Sequence, residues 1–171
     1  MAISTTKPAP GVGTAGTGLV LLVPKGGIKD LAKPTITELD AETAIDITYL
    51  IADDGLERDS GQEQIEDNRL TLAQALTIPG VKTDEVSLTF PFGQADSELD
   101  ETLIEGEEYI LVIRSATPKT KALAEKQLVD VIPFTCGRKT KLPPARNSVW
   151  RKKVTLHVSG EVYDDVEIAT A

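Results

Sequence analysis

The sequence is poor in the side chains that most enzymes use for chemistry. Its 171 residues contain one cysteine, Cys136, and one histidine, His157. A single cysteine excludes a disulfide within the chain, so folding does not depend on an oxidising compartment. A zinc site would need mainly carboxylate ligands, which is uncommon. A nucleophile–base pair is equally unsupported, because the sequence has no G-x-S-x-G or papain-like cysteine segment. We therefore expect no catalytic residues, no metal ligands and no cofactor.

Aromatic residues and long apolar runs are also scarce. Only seven aromatic residues occur among the 171. The apolar run at residues 19–23 is far shorter than the roughly 20 residues that a membrane-spanning helix needs. The first ten residues contain no apolar region of the kind found in signal peptides. We expect neither a membrane anchor nor a signal peptide.

Basic residues are outnumbered by acidic ones. Eighteen lysines and arginines against 27 aspartates and glutamates give a formal net charge of −9. This charge argues against tight binding of nucleic acid, because affinity for DNA comes largely from cationic contacts to phosphate. It does not exclude a surface along which DNA passes without sticking.

The charges are unevenly distributed. Residues 38–67 contain eleven acids and one base, and residues 84–108 contain nine acids and no base. Residues 131–160 contain no acid and seven bases, which we call the basic segment: Arg138, Lys139, Lys141, Arg146, Arg151, Lys152 and Lys153. One interpretation is ordinary solvated surface. The other is that the basic segment of one copy docks on an acidic surface of another, which would favour head-to-tail assembly.

Three short motifs indicate turns and surface instead of chemistry. Residues 11–16 match G-x-G-x-x-G, but they precede a predicted strand, whereas a dinucleotide site needs the motif between a strand and a helix. Residues 53–59 lack the spacing of a calcium loop. Adjacent carboxylates such as Glu107 and Glu108 point to opposite faces of a strand, so they cannot act as a general acid–base pair.

Alternation of apolar and polar residues predicts a mainly β fold. Residues 69–78 place Leu70, Leu72, Leu76 and Ile78 on one face, and residues 86–92 repeat the pattern after a turn at Pro79 and Gly80. Ten residues of strand span about 33 Å, which is long for a small domain. The predicted strands are residues 18–23, 45–49, 69–78, 86–92, 107–115, 127–136, 148–159 and 161–168.

The remaining segments complete a β-sandwich with one helix. The helix lies between Phe92 and Gly106, with Asp96 or Ser97 as its N-cap and an apolar stripe of Leu99, Leu103 and Ile104. Pro133 places its strand at an edge or a bulge. Residues 57–68 are polar and fit either a loop or a poor helix. Residues 1–17 have little to bury and predict a flexible arm before a single domain at residues 18–171.

The order of these segments resembles the major tail, or tail tube, proteins of long-tailed bacteriophages of the siphophage type, particularly those of actinobacterial hosts. The resemblance covers roughly residues 34–171 and rests on order and spacing together. The segments that carry it are RLTL (69–72), IPG (78–80), EVSLTF (85–90), LIEG (103–106), YILVIR (109–114), VDVIP (129–133), PPARN (143–147) and GEV (160–162).

The resemblance implies a non-enzymatic virion protein with a β-sandwich or barrel tail-tube fold and one flanking helix. Six subunits would close into a ring, and stacked rings would form a tube for DNA ejection. Its implied partners are further copies of the chain, the tape-measure protein, the tail terminator and tail-tip proteins, and phage DNA that passes without sequence-specific binding. The protein would be made in the host cytoplasm and reside in the virion tail.

Two alternatives stay open from the sequence. The first is a β-sandwich binding module, such as a virion decoration or adhesion domain, which would show a concave patch of exposed aromatic side chains. The second is a tube subunit of a contractile injection system. Within any of these assemblies, the seven residues of the basic segment are the candidate inter-subunit contacts.

Overall fold

The computed structural model describes residues 10–71, 73–93 and 98–170. Within them the chain is mainly β, as the sequence predicts. The elements in chain order are β1 (Thr17–Pro24), α1 (Ile36–Leu39), β2 (Ile45–Asp46), β3 (Leu56–Asp67), β4 (Leu76–Pro91), α2 (Glu98–Thr102), β5 (Glu108–Pro118), β6 (Leu128–Lys141), β7 (Arg151–Val158) and β8 (Tyr163–Glu167).

The strands form one antiparallel sheet that does not close on itself. Its order is β2-β1-β5-β6-β7-β4-β3, and β8 pairs with β6 beside this path. The sheet curves, which brings the end strand β3 close to β6: the Arg58 Nη1 atom lies 3.3 Å from Asp130 Oδ2. The end strands β2 and β3 each keep one edge unpaired in the sheet, and unpaired edges are where a further chain can add.

Apolar side chains cover both faces of the central strands. On the concave face, Leu22, Leu111, Phe134 and Leu156 form a buried cluster, and Leu99 of α2 packs into it. On the other face of β1, β5 and β6 a second cluster forms, which includes Leu21, Val23, Ile110, Val112 and Val131. Because both faces are buried, these strands consist of almost continuous apolar runs.

Three predictions for the middle of the chain were wrong. Residues 57–67 are neither loop nor helix, because they belong to β3, and only Asn68 of the predicted segment lies beyond it. The predicted strand does not begin at residue 69: Leu70 is 95% exposed, Leu72 lies outside the described residues, and β4 begins only at Leu76. Pro79 and Gly80 do not join two strands, since β4 runs through them. The alternation of leucines mimicked a strand, but residues 70 and 71 form an exposed turn after β3.

Pro133 occupies neither an edge strand nor a bulge. β6 pairs with β5 on one side and with β8 and then β7 on the other. The Pro133 carbonyl accepts a hydrogen bond of 3.0 Å from the Ser159 backbone N–H, so its nitrogen also points away from β5. The Pro133 nitrogen points to the place where β6 changes its pairing partner from β8 to β7. Proline therefore removes no hydrogen bond from the β5–β6 ladder.

Smaller differences concern the helices and the first strands. The sequence predicts one helix, and α1 is a second one, stabilised by a capping box between Thr35 and Glu38. Of the predicted strand at residues 45–49, only Ile45 and Asp46 pair, and the chain then turns. The proposed caps Asp96 and Ser97 and residues 1–9 of the predicted arm lie outside the described residues.

Candidate assembly surfaces

The strands β3 and β4 extend beyond the rest of the sheet as a two-stranded ribbon. β7 pairs with β4 only from Val86 to Pro91, so the earlier part of β4 pairs with β3 alone. We call residues 59–67 and 76–85 the distal ribbon. A two-stranded ribbon by itself is only marginally stable in water. Packing against another surface would therefore stabilise the distal ribbon.

An irregularity in the pairing at Gly80 determines which ribbon side chains share a face. Gln62 pairs with Lys82, but two residues later Gln64 pairs with Pro79, so β4 contains one extra residue at this point. Residues directly opposite each other in an antiparallel pair point to the same side. The extra residue, a β-bulge, therefore shifts the alternation of β4 by one. A Cβ atom at Gly80 would lie 3.0 Å from a carbonyl oxygen of β3, which accounts for glycine there.

One face of the distal ribbon carries all of its exposed large apolar side chains, among the residues that the structure describes. Ile65 lies directly opposite Ile78, and the bulge adds Val81 to the side that Leu76 and Ile78 occupy. These residues are between 45% and 67% exposed. We call them the apolar ribbon face: Ile65, Leu76, Ile78 and Val81. Exposed apolar groups arranged on one side indicate an interaction surface.

Acidic residues follow on the same face, nearer the body of the subunit. Asp59 lies directly opposite Glu85, and Glu63 lies between them and the apolar ribbon face. None of these three carboxylates has an ion-pair partner within the described ranges. Like charges directly opposite each other destabilise a strand pair. A cationic partner would therefore stabilise this part of the ribbon.

Two residues of the basic segment hold the short helix α2 in place. The Lys139 ammonium lies 2.9 Å from Asp100 Oδ1 and donates a hydrogen bond of 2.5 Å to the Asp100 carbonyl oxygen. Lys152 forms an ion pair with the same carboxylate and lies over the ring of Phe92. Burial alone would raise the pKa of Asp100, but hydrogen bonds from Lys152 and Lys139 lower it below its ordinary value.

Two further basic residues also find acids within the same chain. Arg151 Nη1 lies 3.2 Å from Asp54 Oδ1, and Lys153 Nζ lies 2.5 Å from Glu57 Oε2. Four of the seven residues of the basic segment therefore form ion pairs within their own subunit. Their acidic partners belong to residues 38–67 and 84–108.

Three basic residues are left for another partner. Arg138 and Arg146 are exposed and form no ion pair with any residue that the structure describes. Lys141 is exposed and lies 5.7 Å from the centre of the Phe92 ring. Nearby in sequence, Val149 and Trp150 are 65% and 57% exposed. Arginine beside exposed tryptophan is a combination enriched at protein interfaces.

The residues and motifs that the sequence analysis considered for chemistry have the following positions in the structure. His157 lies on β7 opposite Thr135. No group of three or more histidine, cysteine, aspartate or glutamate side chains in the described ranges could hold a metal ion. The motif at residues 11–16 precedes β1, and no helix follows it directly. Of the helices in the described ranges, none has the length and hydropathy to cross a membrane.

Sequence reasoning found only part of the apolar ribbon face, because it placed Leu76 and Ile78 on one face of a predicted strand but missed Ile65 and Val81. Its members come from two strands, and Ile65 is a single apolar residue within a polar strand. The alternation rule misplaces Val81, because the bulge at Gly80 moves it to the other side. The glycine after a proline in an apolar run was the available signal for this irregularity.

The sequence was compared with known protein families. The model of the family described as phage tail tube protein matches residues 7–171. A comparison with curated protein sequences gave no significant match.

The fold was compared with solved structures. A chain from a sixfold-symmetrised cryo-EM structure of the anti-feeding prophage baseplate is similar, with a TM-score of 0.57 and 11% identity over 93% of this chain and 96% of that one. A chain of the tail of an empty GTA particle, refined with helical C6 symmetry, has a TM-score of 0.47 and 12% identity over 85% and 94%. An Hcp protein crystal structure has a TM-score of 0.38 and 10% identity over 88% and 99%.

Proposed function

Because this chain belongs to the phage tail tube protein family, we propose that its copies close into hexameric rings that stack into a tube for phage DNA. Membership makes the protein a structural tail tube subunit and a virion component that associates with its own copies, not an enzyme. The observation that carries the proposal is the family match over residues 7–171.

The number of subunits in a ring and the passage of DNA are the finer parts of the proposal. The fold neighbour from the anti-feeding prophage baseplate was solved with sixfold symmetrisation, which supports a ring of six. A barrel pooled from six subunits is too wide for side chains to fill, so it leaves a lumen. A net charge of −9 favours a lumen that repels phosphate and lets DNA pass without sticking.

The further partners follow from this role. The tape-measure protein occupies the lumen during assembly, the terminator and tail-tip proteins contact the two ends of the tube, and DNA passes through it at ejection. The subunit is made in the host cytoplasm and is incorporated into the virion from there. No cofactor is needed for any of these steps.

The distal ribbon supplies a contact for a second copy. Burying apolar surface contributes roughly 25 cal/mol per Å², and the apolar ribbon face consists of half-exposed side chains that gain from being covered. A second copy is the fitting occupant, because self-association is the property of the family and the acids beside this face match basic residues of the same chain.

The basic segment supplies the complementary charge. Of the seven candidate contacts, Lys139, Arg151, Lys152 and Lys153 already pair within their own subunit. The proposed contact with another copy therefore rests mainly on the remaining three, Arg138, Lys141 and Arg146. A patch on one element that fits a different patch on the next copy gives a head-to-tail interface, which closes into rings or continues as a filament.

Negative-stain imaging of the purified protein tests the proposed function. Tubes or stacked rings are the expected result. Compact monomers at every protein concentration would instead favour the alternative of a decoration or adhesion domain and would contradict the tube proposal.

A further inference from the structure

One arginine joins the base of the distal ribbon to two strands of the body, β6 and β8. Arg58 lies on β3, on the face that its partner Val86 shares with the concave core. Its guanidinium contacts three aspartates: Nη2 lies 3.5 Å from Asp84 Oδ1 and 2.6 Å from Asp164 Oδ1, and Nη1 lies 3.3 Å from Asp130 Oδ2. These carboxylates belong to β4, β8 and β6.

The contacts of Arg58 are partly shielded and depend on its charge. The side chains of Arg58, Asp84 and Asp130 are 21%, 17% and 24% exposed, whereas Asp164, its nearest partner, is 57% exposed. The Asp130 carboxylate is itself held in position, because its Oδ1 accepts a hydrogen bond of 2.9 Å from the backbone N–H of Asp165. Burial alone would lower the pKa of Arg58, but Asp164, Asp130 and Asp84 raise it. Without the guanidinium, three carboxylates would face one another and repel.

The backbone does little to fix the direction of the ribbon. β3 is the end strand of the sheet and pairs with β4 alone, and β4 loses its β7 partner before Val86. A two-stranded ribbon twists more freely than a wide sheet. Arg58 precedes the first residue of the distal ribbon and reaches across the concave face to β6 and β8, so it resists movement of the ribbon away from the body.

We propose that Arg58 is a positioning residue that fixes the distal ribbon relative to the body and so presents the apolar ribbon face to the next copy. The part of this inference that concerns assembly rests on the proposed function. The position of the ribbon itself is a property of the single subunit and can be measured without assembly.

Two spin labels on the unassembled full-length chain report the position of the ribbon. Cysteines replace the exposed residues Thr77 of the ribbon and Thr140 of β6, and double electron–electron resonance gives the distance distribution between them. Cys136 is buried and burial raises the pKa of its thiol, so labelling is directed to the introduced thiols. Tube formation by unlabelled protein is followed in parallel by light scattering.

The variants are Arg58→Met, Arg58→Lys and the matched control Arg69→Met. Arg69 also forms an arginine–aspartate ion pair, 2.9 Å from Asp67, but that pair is local and Arg69 is 70% exposed. R58M is expected to broaden or shift the distance distribution and to slow assembly about tenfold, equivalent to ~1.4 kcal/mol. R58K, which keeps the charge, is expected to be intermediate, and R69M to behave like the wild type.

An unchanged distance distribution in R58M would overturn the inference, even if assembly were slower. Equal broadening in R69M would overturn it as well, because any lost surface charge would then suffice. If R58M does not fold, the same criteria apply to R58K. If the distribution broadens in R58M but wild-type protein forms no tubes, the positioning role stands and the proposed function fails.

Discussion

Asp100 is the residue that fixes the short helix α2 over the concave core. A five-residue helix has too few internal hydrogen bonds to be stable alone, and its buried Leu99 must be held in place. The Asp100 carboxylate does this by forming ion pairs with the ammonium groups of Lys139 on β6 and Lys152 on β7. Its side chain is only 20% exposed, so these ion pairs are shielded from solvent.

Replacing Asp100 with asparagine is expected to lower the free energy of unfolding by about 1–3 kcal/mol, because two lysines lose their shielded anion. The pKa of Asp100 is lowered from an ordinary value of 3.8. The stability that it adds is therefore complete above that value and is lost as the pH falls through the lower folded-state pKa. Urea unfolding of wild type and D100N should differ at pH 7 and converge in acid. The control is Glu101→Gln, since Glu101 is exposed on the same helix; equal losses in D100N and E101Q would contradict the account.

Arg138 and Arg146 are the basic residues whose reversal should affect assembly without affecting folding. Neither has an acidic partner in its own subunit among the described residues. The double variant R138E/R146E is expected to keep the wild-type melting temperature and to form fewer tubes at equal concentration. Each rim ion pair contributes only about 0.2–1 kcal/mol, but the contact repeats in every subunit of the tube.

The control for this charge reversal is K33E/K121E, which changes the net charge equally at two exposed lysines outside the basic segment. Sedimentation of assembled from unassembled protein measures both variants. If K33E/K121E reduces assembly as much as R138E/R146E, net charge and not the basic segment controls association. Reversal of Lys152 or Lys153 is a less specific test, because it breaks ion pairs within the subunit.

At the scale of elements, the distal ribbon is the part of the fold that the subunit does not use for its own core. Its two faces differ: Ile78 belongs to the apolar ribbon face, and the neighbouring Thr77 points to the opposite, polar face. Both are exposed in the subunit. Adjacent residues of one strand therefore allow the two faces to be tested separately.

Ile78→Gln is expected to abolish or strongly weaken tube formation, while Thr77→Gln leaves it intact. Covering a large aliphatic side chain completely contributes about 1.5–3 kcal/mol, and about half of that remains to be gained at a side chain that is 52% exposed. Electron microscopy of the two variants at equal concentration provides the measurement. Normal tubes from I78Q, or equal defects in I78Q and T77Q, would show that this face is not an interface.

The sequence predicts β1, β5 and β6 well because both of their faces are buried. These strands have dense apolar runs, and each predicted first residue lies within one residue of the observed one. β7 was found by a different signal, because buried Val154 and Leu156 alternate with exposed residues. β3 could not be predicted, because beyond its first residues it has no buried face to impose alternation. Leu70 shows the opposite error, since its apolar side chain fits a strand pattern but lies in an exposed turn.

The candidate surfaces could be predicted only in part. The clustering of the seven bases is visible in the sequence, but the pairing of Lys152 with Asp100 joins residues 52 positions apart, and only the packing of α2 against the sheet brings them together. The same holds for Arg58 and Asp164, which are 106 positions apart. The sequence therefore shows which charges are available, whereas the fold decides which remain free.

At the scale of the whole molecule, the subunit combines an open sheet with two unlike surfaces. The sheet leaves β2 and β3 as end strands. The distal ribbon carries apolar and acidic side chains, while residues 138–150 include the exposed basic residues Arg138 and Arg146 and the exposed Trp150. Two different patches on one chain favour repeated head-to-tail association, which is what a tube requires.

A cryo-EM reconstruction of tubes grown from the purified protein would show directly whether its own copies build the tail tube. We expect stacked rings of six subunits around an open lumen, with Ile78 and its neighbours on the apolar ribbon face buried against another copy. Tubes in which this face is open to solvent would contradict the proposed interface. Failure of the pure, folded protein to form rings or tubes under any condition would contradict the proposal that its own copies build the tail tube.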